Sequence, residues 1–344
     1  MQKPVLVIKL GSAVITDSTG KPDEVFIKKL AAEVAELCGA YRIVIVSSGA
    51  VGSGKSFFKN YKGSLLERKA AAAVGNPMLI QLYQRHLSFH GITVAQALCE
   101  RHHFSNRSQF LQLKDTFYEF WHNDIVPIVN ENDLVSNVEL KFSDNDELST
   151  LVAIGFDADT LIICTSVGGF MDHERKIIPA IDRIDQTIMG FVSNEKSSLG
   201  LGGMLSKLTF TKLATSLGIR VIMTGVSGLR PFADALEGKA GTTFKPRKSN
   251  LKARRKWLAS GSITLGGIQV DKGAEKALNN RKSLLAVGIA AVTGMFSAGE
   301  VVQLINEEQQ IIGVAKVKLN SPEIAERLSK KNTIAAHSDD IVLF

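Results

Sequence analysis

The stretch VIVSSGAVGSGKS, Val44 to Ser56, decides how this chain is read. Gly49-x-x-x-x-Gly54-Lys55-Ser56 matches the phosphate-binding pattern G-x-x-x-x-G-K-[ST] and directly follows an apolar run that reads as a strand. A P-loop here would make the chain a nucleoside triphosphatase of that fold. Such a protein also needs an apolar strand ending in a Mg2+-linked aspartate. The run TLIICTS ends in Ser166 instead, and lysines suited to phosphate already stand elsewhere, at Lys9 and Lys207.

The runs on either side of this stretch set the architecture. VLVIKL, RIVIVS, ITVAQAL, IVPIVN, TLIICT and RVIMTG are short, β-branched and apolar throughout, as parallel strands covered on both faces are. Between them Glu24 to Cys38, Leu65 to Phe89, Arg107 to Trp121, Asp146 to Phe156 and Lys207 to Leu217 are long enough for crossover helices. Pro77 falls early in a helical run and is read as a new helix start. The alternation predicts a three-layer αβα sandwich on a mainly parallel sheet, with ligands at the carboxyl ends of its strands. After about Leu258 the texture changes to short alternating strands and turns, a small mainly-β module. The predicted domains are 1–257 and 262–344, with a basic linker region, 244–261, overlapping the boundary.

Composition narrows the class further. The chain has 344 residues, 45% of them hydrophobic and 22% charged, enough apolar material for two cores. No apolar run reaches membrane-spanning length, and Met1-Gln2-Lys3-Pro4 lacks the apolar stretch of a signal peptide, which predicts a soluble cytoplasmic protein with no membrane partner. Cys38, Cys99 and Cys164 are far apart and show no C-x-x-C spacing, and two of them sit in apolar runs where a buried thiol is ordinary, so a structural role is expected. The net charge of +7 is concentrated between Lys239 and Lys256, either a solvated linker or an RNA contact.

Several features fall at the predicted strand ends. Lys9 closes the first strand before the turn at Gly11, and Ser47 to Ala50 close the second. NENDLV, Asn130 to Val135, follows IVPIV; SDNDELS, Ser143 to Ser149, runs into a helix; GLGGMLSKL, Gly200 to Leu208, is a Gly-rich turn entering a helix that carries Lys207. Phosphoryl transfer needs this inventory: cations for the transferring oxygens and backbone N–H groups at Gly-rich turns, with no covalent nucleophile. Two neighbouring lysines repel, so a carboxylate must stand between them, Asp146 or Asp144.

In order and wording VIKLGS, IVIVSSGAV, AAAVGNPMLIQLY, DIVPIVNENDLV, DNDELS and GLGGMLSKL resemble the glutamate 5-kinases of the amino acid kinase superfamily. VDKGAEKAL, SLLAVGI and VTGMFSAGEVV resemble the PUA domain that ends those chains. The resemblance covers nearly the whole sequence. It implies the amino acid kinase fold with a C-terminal PUA domain, and ATP-dependent, Mg2+-requiring phosphorylation of the γ-carboxylate of L-glutamate, the first step of proline biosynthesis. It implies Lys9, Lys207 and Asp146 as the catalytic group. It places Ser48, Gly49, Ala50, Asp133, Asp144 and Asn145 around the amino acid. ATP falls to Lys9, Gly11, Thr165, Ser166, Leu201, Gly202, Gly203, Met204, Leu205, Ser206 and Lys207, and no protein ligand is assigned to the metal. Gly54-Lys55-Ser56 then becomes a coincidental match in a loop that approaches the amino acid. The resemblance also implies feedback inhibition by proline, a homo-oligomer (dimer or tetramer) and handover of product to a glutamyl phosphate reductase.

The chain departs from the family pattern on the ATP side. Ser166 stands where the family has aspartate and Leu201 where it has threonine, which leaves two readings: backbone donors and lysines still hold the triphosphate, or nucleotide affinity and choice have changed. Asn76 stands where many relatives have glutamine and is read as neutral. The runner-up functions are a related carboxylate kinase with altered nucleotide use and, in a different class, an RNA-binding protein acting through the PUA segment. RNA is disfavoured by that segment's balanced charge and few aromatics. The lack of a basic residue in NENDLVSNVEL suits a substrate with a free ammonium better than an acetylated amine.

Overall fold

The structure is a computed structural model describing residues 2–17, 20–105, 107–134, 145–192, 203–247, 266–296, 298–326, 328 and 333–343. It divides into two compact units. The first takes Met1–Glu100 and the described residues from Lys114 to Arg247; the second takes Arg101–Leu113 and those from Gly266 on.

The elements run β1 (Val5–Leu10), α1 (Ser12–Ile15), α2 (Glu24–Cys38), β2 (Arg42–Ser47), α3 (Ala50–Gly54), α4 (Leu65–Ser88), β3 (Thr93–Cys99), α5 (Arg101–Ser105), α6 (Arg107–His122), β4 (Ile125–Glu131), α7 (Asn145–Gly155) and β5 (Thr160–Cys164). They continue as β6 (Ala180–Ile181), α8 (Gln186–Gly190), α9 (Met204–Ser216), β7 (Arg220–Thr224), α10 (Pro231–Leu236) and β8 (Thr242–Phe244). The strands form one eight-stranded sheet in the order β3-β4-β2-β1-β5-β7-β8-β6, parallel throughout except where β8 runs antiparallel to β7. The six apolar runs of the sequence are its six long strands. The inner ones, β1 and β5, are buried at every residue, as parallel strands covered on both faces must be. The short β6 and β8 and the helix α10 carry no periodicity and were not predicted.

Local chemistry sets the helix ends. Asp23 caps α2 by accepting from the Phe26 N–H at 3.0 Å, and Ser64 opens α4 with a capping box closed by Glu67. Pro77 does not start a helix: α4 runs through it. The helix starts at the Ser64 cap and is held by buried side chains on both sides of the proline, Ala71 and Ala72 before it and Leu79 and Tyr83 after it, and this packing outweighs the lost N–H. From α2, the buried carboxylate of Glu33 accepts from the Phe232 and Ala233 N–H groups, both at 2.7 Å, and so caps α10; burial holds its carboxyl above the ordinary range.

Helix α3 packs on α4 through glycines. A Cβ on Gly75 would run into the Ala50 carbonyl oxygen, and one on Gly54 into the Ala71 carbonyl oxygen. Gly75→Ala is therefore expected to destabilise the first unit by about 2 kcal/mol or more, read as a lowered urea midpoint. Buried Cys99 and Cys164 are free, and burial pushes both thiols up to about 12, so they behave as core residues.

The second unit carries a five-stranded sheet, β11-β9-β12-β13-β15, and a two-stranded one, β10-β14. From Gly266 on, its elements among the described residues are β9 (Gly266–Val270), α11 (Lys272–Asn279), β10 (Leu284–Leu285), β11 (Ile289–Gly294), β12 (Val301–Ile305), β13 (Ile311–Lys316), α12 (Ser321–Glu326), β14 (Ile334–Ala336) and β15 (Ile341–Leu343). Its core is separate and includes Ile268, Val302, Leu304 and Ala335. Helices α11 and α12 are additions to the mainly-β expectation; most of the linker region 244–261 lies outside the described residues.

Candidate active site

Register brings the predicted residues to one edge of the large sheet. Lys9 is level with Val46 of β2 and Ile163 of β5, Val46 with Val129 of β4, and Cys164 with Thr224 of β7. The residues that follow, Gly11, Ser48, Asn130 and Thr165, therefore emerge together at the carboxyl ends.

The centre is a buried carboxylate shared by two lysines. Asp146, 1% exposed in the first turn of α7, takes the Lys9 Nζ on Oδ1 at 2.5 Å and the Lys207 Nζ, from the first turn of α9, on Oδ2 at 2.9 Å. Of the two carboxylates offered by the sequence, Asp146 is the one between the lysines; Asp144 lies outside the described residues. An aspartate at a helix start also lies favourably in the helix dipole. Two cations and one anion leave a net positive charge in a poorly solvated place, a charge balance that suits a phosphate oxygen.

The surroundings fit a polyphosphate. Gly11 leaves the head of Lys9 approachable, since a Cβ there would stand 3.6 Å from Nζ. Gly203 is the N-cap of the 13-residue α9 and has no side chain to cap it, so the helix start, Met204, Leu205 and Ser206, suits an anion. The Thr165 N–H is used on the Thr224 carbonyl at 2.8 Å, whereas its buried Oγ1 has no hydrogen-bond partner among the described residues. Ser166 is exposed. Leu201 and Gly202 lie outside the described residues. Among the described residues no group of three or more His, Cys, Asp or Glu side chains could cage a metal. A Mg2+ held by substrate phosphates needs no such cage.

A second polar group gathers at the same strand ends. The Asn145 Nδ2 donates to the Ser48 Oγ at 2.7 Å and to the Ser47 carbonyl at 3.2 Å. Gly49 caps α3 in the left-handed region, φ 101°, where a Cβ would also come within 2.8 Å of Ile15. Ala50 is buried beside it, and Asp133 is half-buried just past β4. Linked to these residues by hydrogen bonds are groups given no role from sequence: Asn130 and, through it, Asn76, and Tyr83, whose hydroxyl meets the Ser47 Oγ at 2.9 Å. Burial holds the Tyr83 phenol well above its ordinary range. Polar residues inside apolar runs, as in VGNPML and IVPIVNE, are the only sequence signal for them.

The P-loop look-alike is a helix. Ala50–Gly54 form α3, followed by a 3₁₀ turn over Lys55–Phe57. The Ser53 N–H is bonded to the Gly49 carbonyl and the Lys55 N–H to that of Val51, and Gly54 is buried against α4. A phosphate cradle needs those N–H groups converging on the ligand, and here the helix uses them.

Two lysines on one buried carboxylate, at the carboxyl ends of a mainly parallel sheet, are groups of the kind that phosphotransferases use to neutralise an anionic transfer. Residues 4–225 match the Amino acid kinase family and residues 266–337 the PUA domain. Glutamate 5-kinase of Aquifex aeolicus is 38% identical over 355 residues, covering 98% of this chain and 99% of its own. That of Kosmotoga olearia is 35% identical over 332 residues, covering 95% and 92%. The carbamate kinase of Giardia lamblia bound to AMP-PNP shares the fold, with a TM-score of 0.53 and 19% identity, covering 71% of this chain and 99% of that one. The chain belongs to the amino acid kinase family and, within it, to the glutamate 5-kinases. Among the described residues no helix is long and apolar enough to cross a membrane.

Proposed function

We propose that the chain transfers the γ-phosphoryl group of ATP to the γ-carboxylate of L-glutamate at the Lys9–Asp146–Lys207 cluster. The observation that carries this reading is the fork at Asp146, one carboxylate oxygen to each lysine. The acceptor carboxylate is already ionised at neutral pH, so the chemistry needs no general base. It needs relief of repulsion between an anionic nucleophile and an anionic phosphoryl group. As the carboxylate O–P bond forms and the bond to the β-phosphate oxygen breaks, charge grows on the transferring and leaving oxygens. Lys9 and Lys207, held in place by Asp146, are the groups to neutralise it. The phosphates would lie along Gly11, Thr165, Ser166, Gly203 and the start of α9, with Leu201 and Gly202 assigned to the same role, and Mg2+ would be held by the phosphates and neutralise their charge. The amino acid lies against Ser48, Gly49, Ala50 and Asn145, and the carboxylates of Asp133 and Asp144 attract its ammonium.

The finer expectations stand on the same reading. The acyl phosphate product is labile, which favours handover to a glutamyl phosphate reductase and a place at the start of proline biosynthesis. Proline, carrying an α-carboxylate and an ammonium, would compete for the amino acid pocket as feedback inhibitor. Exposed Leu65, Leu66 and Val74 on α4 support a homo-oligomer, and free buried thiols suit the reducing cytoplasm. The catalytic domain is 1–257 and the PUA domain 262–344, joined through the basic region 244–261.

Lys55→Ala separates this reading from a P-loop. Glutamate-dependent ADP release is expected to stay within about twofold of wild type, because Lys55 touches no member of the cluster in this reading. An essential Lys55 would return the site to the Gly-Lys-Ser stretch.

A further inference from the structure

We infer that Asn76 is a positioning residue for the amino acid substrate, acting through a chain of amides that fixes which atoms the pocket offers as donor and acceptor. The inference rests on the reading of Ser48 and Asn145 as the substrate wall. Asn76 lies on α4, Asn130 is the last residue but one of β4 and Asn145 opens α7; the first two are 7% and 6% exposed.

The direction of each amide follows from backbone groups that can act in one sense only. The Glu131 N–H is an obligate donor, and it meets Asn130 Oδ1 at 2.9 Å. Nδ2 of Asn130 must then find an acceptor, and Asn76 Oδ1 supplies it at 3.0 Å. The Ser47 carbonyl is an obligate acceptor, so the Asn145 atom facing it is Nδ2, which also lies 3.3 Å from Asn130 Oδ1 and 2.7 Å from Ser48 Oγ. Two consequences reach the pocket. With Asn145 donating to it, the Ser48 hydroxyl directs its own proton elsewhere and donates to an incoming carboxylate. With Nδ2 committed to the wall, Asn145 presents Oδ1 on its other side, an acceptor for an ammonium. A donor and an acceptor held in fixed order are complementary to an α-amino acid.

Asn76 touches none of the reacting atoms. Its role is to give Asn130 Nδ2 a buried partner and so keep Asn130 Oδ1 aimed at Asn145. Without that partner, Asn130 is left with an unpaired buried N–H and turns to satisfy it, and Asn145 and Ser48 lose their fixed sense.

The test compares Asn76→Leu, Asn76→Asp, Ser48→Ala and the double variant Asn76→Leu/Ser48→Ala, reading KM for glutamate, KM for ATP, kcat and Tm. Asn76→Leu, which removes the acceptor and keeps a side chain branched at Cγ, is expected to raise the glutamate KM about tenfold while kcat and the ATP KM move by less than about twofold. Asn76→Asp keeps an acceptor oxygen and is expected to restore the glutamate KM. The double variant is expected to bind glutamate no worse than Ser48→Ala alone, since both act through one hydroxyl. Should Asn76→Leu not fold, Asn76→Ala removes the same acceptor without the added apolar bulk and carries the same expectation. An unchanged glutamate KM in the variant lacking the acceptor overturns the inference. So does additivity in the double variant, or a failure of Asn76→Asp to rescue. If Ser48→Ala itself leaves the glutamate KM unchanged, the substrate wall is misassigned and this inference falls with it; a raised KM in Ser48→Ala beside an unaffected Asn76→Leu removes only the inference.

Discussion

Lys207→Ala is expected to lower kcat about a thousandfold while the protein stays folded and the glutamate KM changes little. Its ammonium is at the start of α9, next to where the transferring oxygens would lie, and its side chain is 16% exposed, so truncation opens the site to water without leaving a dry cavity. The remaining pair, Lys9 with Asp146, is neutral and still satisfied at 2.5 Å. What is lost is one of two cations facing charge that grows in the transition state, and losses of this kind are about 10²–10³ in rate for a single preorganised donor. Stopped turnover with a Tm within a few degrees of wild type is the expected signature; equal losses in kcat and stability would make Lys207 a structural residue.

Asp146→Asn is expected to cost both activity and stability. The aspartate is 1% exposed, and each of its oxygens answers a lysine. An amide has a single acceptor oxygen, and its NH2 group would face a second donor. Lys9 and Lys207 would then repel each other in a poorly solvated place. Removing one partner from a buried ion pair costs about 3–5 kcal/mol, which corresponds to a fall of roughly 10 °C in the melting of the first unit. Turnover is expected to fall at least as far as in Lys207→Ala, because both cations lose their position. Thermal unfolding and glutamate-dependent ADP release measured on the same preparation check it. An Asp146→Asn variant that melts like wild type would mean that the lysines are not held by this carboxylate.

The contrast between the two variants reflects what could be read from the chain. The inner strands were legible because burial on both faces demands continuous apolar runs, and VLVIKL or TLIICT admits little else. The need for a carboxylate between the lysines followed from repulsion alone, even though Lys9 and Lys207 are far apart in sequence. Pro77 was misread because a local rule about its missing N–H was outweighed by packing along α4. Asn76 was read as neutral for a related reason: a single asparagine in an apolar run shows that a partner must exist without showing which, and its partner Asn130 is brought close only by the fold. Gly54-Lys55-Ser56 is the reverse case, a match that the sequence reading set aside as coincidental. The pattern is local and complete, yet its glycine serves close packing of α3 on α4. β8, Thr242–Phe244, was too short to show a period and joins the sheet through β7 and β6.

The central claim is tested most directly by incubating the wild-type chain with Mg-ATP and L-glutamate in the presence of hydroxylamine, following ADP release and hydroxamate together. Glutamate-dependent formation of both in equal amounts, abolished in Lys207→Ala, is the result expected of phosphoryl transfer to the γ-carboxylate at the Asp146 fork. ADP release that ignores glutamate and yields no hydroxamate, or hydroxamate formation that survives Lys207→Ala, would contradict it.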